Sequence, residues 1–113
     1  MSNFISRDAL KALMSSGSKQ TIIEALPNKY YAAEHLPGTL NIPHDEVHLS
    51  APRLIPDKND QVIVYCASSD CQNSHLAAAS LHKLGYANVY VYAEGKKDWK
   101  EAGLPLESSG GAK

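Results

Sequence analysis

The sequence predicts an α/β domain in which a mainly parallel β-sheet is covered by helices on both faces. Apolar runs at residues 21–26, 62–65 and 88–92 indicate strands, and segments with helical periodicity lie between them. The run at 62–65 is mostly β-branched and lacks polar alternation, which is typical of a strand buried on both faces. Strands that alternate with helices along a chain usually pair in parallel.

The N-terminal part begins with a helix predicted over residues 7–14, for which Ser6 has the side chain of an N-cap. The apolar residues of this segment recur at helical spacing. The strand at 21–26 is expected to stop before a Pro-Asn pair, and a short helix is expected over 29–34.

The middle of the chain is rich in turn signals. A Pro-Gly pair at 37–38 indicates a turn that leads into a brief strand, which a second proline ends. We expect Asp45 to cap one helical turn. We expect Ser50 to begin a separate one, with Pro52 near its start.

The C-terminal part supplies a long helix, a strand and a last short helix. Helical spacing predicts the long helix over residues 74–84, with Gly85 just beyond its end. The strand at 88–92 follows, and the last helix is predicted over 96–102. The predicted core positions of the long helix are Leu76, Ala77, Leu81 and Leu84.

The composition is that of one globular domain. The chain has 113 residues and a net charge of −1, which gives no reason to expect a nucleic-acid or membrane partner. No apolar segment approaches the ~20 residues that span a bilayer, and the first residues lack the pattern of a signal peptide. We therefore expect a cytoplasmic protein, with residues 1–107 forming the domain and 108–113 a flexible tail.

Two cysteines and five scattered histidines do not form a recognisable metal-binding motif. We expect no metal and no cofactor. In the cytoplasm both thiols would normally be reduced.

Cys66 follows the central strand directly and is the candidate catalytic residue. Ligands of parallel sheets bind at the carboxyl ends of the strands, and a helix N-terminus after the loop favours an anion. Such a place favours the thiolate of Cys66, whereas an arbitrary cysteine at a strand end is a buried small hydrophobe. The predicted substrate-binding loop comprises Ala67, Ser68, Ser69, Asp70, Gln72 and Asn73.

Cys71 lies five positions after Cys66, close enough for a loop to bring the two sulfur atoms together. One interpretation is a resolving cysteine that attacks a persulfide on Cys66 or closes a disulfide with it. The other is a small residue that fills the underside of the loop. The sequence leaves both open.

Four segments resemble one known family. Residues 35–43, H-L-P-G-T-L-N-I-P, are similar to its H-I-P-G-A-x-N-I-P, and the strand before Cys66 matches its cysteine-bearing strand. Residues 85–90 are similar to G-Y-x-N-V-Y, and residues 94–105 are similar to G-G-x-x-x-W followed by A-G-L-P. The order and spacing of all four identify the chain as similar to the single-domain rhodaneses, which are sulfurtransferases.

The resemblance implies a rhodanese-like fold with a central five-stranded sheet and flanking helices. It also implies that Cys66 carries sulfane sulfur as a persulfide and passes it to a thiol or another nucleophile. The expected partner is a small sulfur-containing substrate or a persulfide-bearing protein; the oligomeric state is not predicted.

The chain departs from the family pattern at three places. Glu24 stands where the family has the aspartate of D-V-R, and the arginine of that motif is missing. Cys71 stands where the cysteine loop usually has an arginine, and this loop is about two residues longer. Lys96 replaces the second glycine of G-G. Glu24 either faces the site or makes a structural hydrogen bond.

These departures bear on the substrate. No arginine or lysine lies between Cys66 and Leu81, and Asp70 adds a negative charge, so a persulfide donor suits the loop better than dianionic thiosulfate. The alternative to a sulfurtransferase is a non-catalytic redox-sensing or binding module that uses Cys66 and Cys71. A phosphatase or arsenate reductase is a weaker alternative, because its oxyanion requires the missing arginine.

Overall fold

Five parallel strands form the centre of the fold. They are β1 (Asn3–Phe4), β2 (Thr21–Glu24), β3 (Leu40–Asn41), β4 (Gln61–Tyr65) and β5 (Asn88–Tyr92). In the computed structural model, which describes residues 3–108, their order across the sheet is β1-β5-β4-β2-β3. The central strand β4 pairs with β5 on one side and with β2 on the other, in parallel in both cases.

Helices cover both faces of this sheet. They are α1 (Arg7–Ser15), α2 (Asn28–Ala33), α3 (Val47–Leu54), α4 (Asn73–Lys83) and α5 (Gly95–Glu101). Val62 and Val64 of β4 enter a core built with α3 and α4, whereas Ile63 and Tyr65 enter a second core that includes Leu10 of α1 and Trp99 of α5. The alternation of strand side chains thus places one core on each side, and the predicted fold class is confirmed.

Most predicted elements are present with ends that agree or differ by one or two residues. Ser6 caps α1, and its hydroxyl accepts a hydrogen bond of 3.1 Å from the backbone N–H of Ala9. The strand predicted at 88–92 is β5 with the same limits. Gly85 adopts a left-handed φ of 98° just after α4, as expected for the residue that ends a helix.

The region around residue 50 differs from the prediction. A 3-10 turn (His44–Glu46) contains Asp45, and one continuous helix, α3, then runs through Ser50 and Pro52. The buried residues Val47, Ala51 and Ile55 recur every four positions, so packing against the core holds the helix together despite its internal proline. Ser50 is therefore not a cap.

Leu76 of α4 is also not a core residue, since half of its surface is exposed. The buried face of this helix is formed by Ser74, Ala77, Ala78 and Leu81, which leaves Leu76 on the opposite side.

Both ends of the domain contribute contacts that the sequence did not reveal. The two-residue strand β1 pairs with β5. Near the C-terminus, a bridge joins His35 to Glu107, and the indole N–H of Trp99 donates a 2.8 Å hydrogen bond to the carbonyl of Pro105. Of the predicted tail 108–113, only Ser108 is described, and it is exposed; the remainder lies outside the described residues. Within residues 3–108, no helix has the length and apolar character needed to cross a bilayer.

Candidate active site

Cys66 lies at the carboxyl end of β4, in the middle of the sheet. It follows the last residue of the strand and is 1% exposed. The chain then forms a loop of six residues, 67–72, before α4 begins at Asn73. The strand, loop and helix occur in the order that the sequence predicts.

The two cysteines are joined by a disulfide bond. Their Cα atoms are 6.4 Å apart, within the range that a disulfide spans without backbone movement. The backbone N–H of Cys71 donates to the carbonyl of Ser68 at 3.1 Å, so a turn folds the loop back over Cys66. The structure therefore shows the oxidised form of a pair that we expected to be reduced.

Ser74 is the second residue of α4 and its side chain is fully buried against Cys66. The Ser74 hydroxyl lies 3.5 Å from the Cys66 sulfur atom. A hydroxyl at this position donates to the sulfur and favours the thiolate once the disulfide is reduced.

The N-terminus of α5 holds the start of the loop from the other side. The backbone N–H of Lys96 donates to the carbonyl of Cys66 at 2.9 Å, and that of Lys97 donates to the carbonyl of Ala67 at 2.8 Å. These two bonds use N–H groups that a helix N-terminus leaves without intrahelical partners. The backbone of Cys66 is thus fixed by a neighbouring element.

Gly95 makes this approach possible. Its φ is 73°, and a Cβ atom there would lie 2.6 Å from the carbonyl oxygen of Cys66 and 2.8 Å from the nitrogen of Ser68. Any side chain would displace the loop, so this position requires glycine both for its backbone angle and for its space.

A buried ion pair lies at the same end of the sheet. The Lys96 ammonium is 3.0 Å from a carboxylate oxygen of Glu24, which is fully buried at the end of β2. The same ammonium also donates to the carbonyls of Tyr30 and Glu34, at 3.2 and 2.6 Å. All three of its N–H groups have partners, as burial of a charge demands.

Tyr65 connects this ion pair to the cysteine. Its hydroxyl donates to the other carboxylate oxygen of Glu24 at 2.8 Å and accepts from the backbone N–H of Leu36 at 3.0 Å. Burial raises the pKa of the Tyr65 phenol, and the negative charge of Glu24 raises it further, so the phenol stays a donor. Contacts run from Cys66 through Lys96 and Glu24 back to Tyr65, the residue before Cys66.

The outer side of the loop borders a shallow groove of about 160 Å³. Its lining residues are Ser68, Ser69, Glu94, Lys97, Asp98 and Glu101. The only cation among them, Lys97, is 2.9 Å from Glu101, whose hydrogen bond and charge raise the pKa of this lysine. Asp98 in turn lies 3.1 Å from the Arg7 guanidinium, so two of the three carboxylates in the groove are paired and the groove keeps a small negative charge from Glu94.

Comparison with known proteins identifies the family. The family model of the rhodanese-like domain matches residues 6–102. The chain belongs to the rhodanese-like domain family. It is 30% identical over 84% of its length to YrkF of Bacillus subtilis, a proposed sulfur carrier protein, and covers 49% of that protein. It is 41% identical over 60% of its length to the thiosulfate sulfurtransferase PspE of Escherichia coli, of which it covers 62%.

The fold is also found in solved structures. A thiosulfate sulfurtransferase from Pseudomonas aeruginosa superposes with a TM-score of 0.85 at 27% identity, over 96% of this chain and 20% of that one. The chain thus spans about half to three-fifths of the curated relatives named above, and a fifth of this larger structure. These relatives associate the rhodanese-like domain with sulfur transfer.

The predicted loop residues follow Cys66 in the structure, but they differ in exposure and in secondary structure. Ala67, Ser69, Asp70 and Gln72 are exposed, and Ser68 is partly buried. Asn73 is the first residue of α4 rather than a loop residue. No group of three or more His, Cys, Asp or Glu residues suited to a metal ion occurs between residues 3 and 108.

Sequence reasoning missed Ser74 and Gly95, and it noted Lys96 only as a departure from the family pattern. Aligned on Trp99, the two glycines of G-G-x-x-x-W fall on Glu94 and Gly95, so Glu94 is the departure and Lys96 takes the first variable position. Glu24 keeps the carboxylate of the family aspartate, and only the structure shows that Lys96 is its partner.

Proposed function

We propose that this rhodanese-like domain is a sulfurtransferase that carries sulfane sulfur as a persulfide on Cys66. The observation that carries the proposal is the position of Cys66 at the carboxyl end of the central strand, with its carbonyl held by α5 and its sulfur beside the Ser74 hydroxyl. Sulfur transfer in relatives of the same family supports it.

The reaction starts from the reduced pair. The Cys66 thiolate attacks the outer sulfur of a donor R–S–SH, a Cys66–S–SH bond forms, and the donor leaves as R–S⁻. An acceptor thiolate then attacks the outer sulfur of the Cys66 persulfide and regenerates the Cys66 thiolate. The Ser74 hydroxyl stabilises the sulfur anion at the start and at the end of this cycle.

The charges at the loop favour a neutral or monoanionic persulfide, from a small molecule or a protein, over thiosulfate. Asp70 lies in the loop, and the groove beside it carries three carboxylates, of which Asp98 pairs with Arg7 and Glu101 with Lys97. A dianion approaching this surface is repelled more strongly than a persulfide group, which carries at most one negative charge. The proposed donor is therefore a persulfide, whereas PspE is named for thiosulfate.

The disulfide supports a second candidate function. A module that senses oxidants would use the Cys66–Cys71 bond as its oxidised state and would transfer no sulfur. A phosphatase is disfavoured, because the loop 67–72 contains no arginine to hold an oxyanion.

Intact mass spectrometry separates these functions. The reduced Cys71→Ser protein is incubated with glutathione persulfide, and we expect a gain of one sulfur atom on Cys66. The Cys66→Ser/Cys71→Ser variant, identical except at the nucleophile, should gain none. If both proteins stay unmodified while the wild type still cycles between dithiol and disulfide, the redox module is the better description.

The proposed cycle requires free thiols between turnovers. A reducing compartment such as the cytoplasm provides this condition, and we propose that the protein works there.

A further inference from the structure

The disulfide shows that Cys71 can reach the sulfur atom that would hold the cargo. We infer that the loop has a second activity: Cys71 attacks the Cys66 persulfide and releases the sulfane sulfur as hydrosulfide. This inference rests on the proposed function, because it begins with the persulfide on Cys66.

The loop is built to bring Cys71 back to Cys66. The four residues between the cysteines are small or short, and the turn that joins the Cys71 N–H to the Ser68 carbonyl reverses the chain. Cys66 meanwhile cannot move away, because the backbone N–H of Lys96 holds its carbonyl. A fixed Cys66 and a short flexible bridge make ring closure easy.

The step balances in atoms and electrons. The Cys71 thiolate attacks the inner sulfur, Sγ of Cys66, and forms the Cys66–Cys71 disulfide. The bond between Sγ and the sulfane sulfur breaks, and its electron pair leaves with HS⁻. The sulfane sulfur is reduced to sulfide while the two cysteine sulfurs are oxidised.

Continued turnover requires a dithiol reductant, and the burial of the two cysteines determines where it attacks. Cys66 is 1% exposed, whereas Cys71 is partly exposed on the loop. An incoming thiolate therefore forms its mixed disulfide with Cys71, and Cys66 leaves as the thiolate beside the Ser74 hydroxyl. The second thiol of the reductant then releases Cys71, which restores the nucleophile for the next sulfur.

A single-turnover experiment tests the release. Reduced wild type, freed of reductant, is mixed with one equivalent of glutathione persulfide, and hydrosulfide is measured together with intact mass. We expect about one hydrosulfide per chain above the background set by Cys66→Ser, and a protein that has lost two hydrogens. Cys71→Ser should instead gain one sulfur and release no hydrosulfide above that background.

The outcomes distinguish the inference from the function on which it rests. If Cys71→Ser gains sulfur and the wild type keeps an equally long-lived persulfide without a disulfide, the inference is overturned and the sulfurtransferase stands. If Cys71→Ser gains no sulfur, both are overturned.

Peptide mapping tests the direction of reductive attack. The disulfide form is treated briefly with glutathione, and the reaction is stopped with acid. The cysteine that carries the trapped mixed disulfide is then identified. We expect glutathione on Cys71 in at least tenfold excess over Cys66. Glutathione mainly on Cys66 would contradict the proposed order of reduction.

Discussion

The chain on the two sides of Cys66 is built differently. Before it, Tyr65 is fully buried and bonded to Glu24, which forms an ion pair with Lys96. After it, the loop 67–72 is largely exposed and is held by one backbone hydrogen bond from Lys97 to the carbonyl of Ala67 and by the bond between the cysteines. The first region is fixed by buried, hydrogen-bonded side chains, and the second partly by a disulfide that reduction breaks.

This difference suits a cysteine that must stay in place while its partner moves. The buried ion pair of Glu24 and Lys96 is costly to break, because removing either charge leaves the other unpaired in the interior. Through Tyr65 and the backbone of Lys96, this pair holds Cys66 at the end of the strand. The hydrogen bonds of the Glu24 and Lys96 side chains go to Tyr65, Tyr30 and Glu34 and to each other, so we expect reduction of the disulfide to leave the pair in place. The comparison makes separate predictions for stability and for reactivity.

The largest effect is expected from the ion pair. Lys96→Met leaves the Glu24 carboxylate buried without its cation, and we expect a loss of about 3–5 kcal/mol in the free energy of unfolding. Adding Glu24→Gln should recover part of this loss, because the two changes act on one interaction. Urea unfolding of the single and double variants measures both quantities.

The adjacent lysine provides a matched control. Lys97 also pairs with a glutamate, Glu101, but both side chains are mostly exposed. Lys97→Met should therefore cost less than about 1 kcal/mol. Equal losses for Lys96→Met and Lys97→Met would remove the distinction between the buried region and the surface.

Gly95 is where α5 meets the start of the loop. Gly95→Ala and Gly103→Ala both place an alanine at positive φ, 73° and 77°, and each should lose about 1–2 kcal/mol of stability. Only the Cβ at position 95 would collide with the loop, since nothing lies within 4 Å of one at position 103. We expect Gly95→Ala to slow sulfur loading of Cys66 at least tenfold and Gly103→Ala to leave it unchanged. Similar loading rates in stopped-flow assays would show that α5 does not position the loop.

Much of the fold follows from local patterns in the sequence, whereas its exceptions are set by tertiary packing. The strands β4 and β5 and the helix α4 have strong periodicity and end signals. The strand β1 has only two residues, too few for any period, and α3 continues past Ser50 because Val47, Ala51 and Ile55 pack into the core.

The site divides in the same way. Cys66 and its loop follow from a strand, small residues and a helix in sequence order. The Glu24–Lys96 pair joins residues 72 positions apart, and no local pattern reveals such a contact. Ser74 looked like a simple helix start, and only the packing of α4 against β4 turns its hydroxyl toward the sulfur.

A smaller effect is expected from Ser74, which links the buried region to the reacting atom. In the reduced Cys71→Ser background, the pKa of Cys66 should lie below the ordinary thiol value of ~8.5. Ser74→Ala removes a donor to the thiolate and should raise this pKa by about 1 unit, given ~1.5 kcal/mol for such a hydrogen bond. Ser80→Ala, on the same helix, should have no effect. The pH dependence of alkylation by iodoacetamide gives the pKa of Cys66 in all three proteins. A value at or above ~8.5 in Cys71→Ser itself would contradict the thiolate argument.

The smallest effect concerns the exposed side of the comparison. Asp70→Arg replaces a negative charge by a positive one in the loop. An exposed charge near a dianion contributes about 1 kcal/mol, so we expect kcat/KM for thiosulfate to rise about fivefold. Turnover with 2-mercaptoethanol persulfide, which carries at most one negative charge, should change much less. Asp57→Arg makes the same charge change in the turn before β4, at the opposite edge of the sheet. Five residues of strand separate the two edges by roughly 16 Å, about two Debye lengths at physiological salt, so this control should be neutral. The gain from Asp70→Arg should also shrink as salt is raised. If thiosulfate is already the better substrate of the wild type and Asp70→Arg changes nothing, charge in the loop does not select the donor.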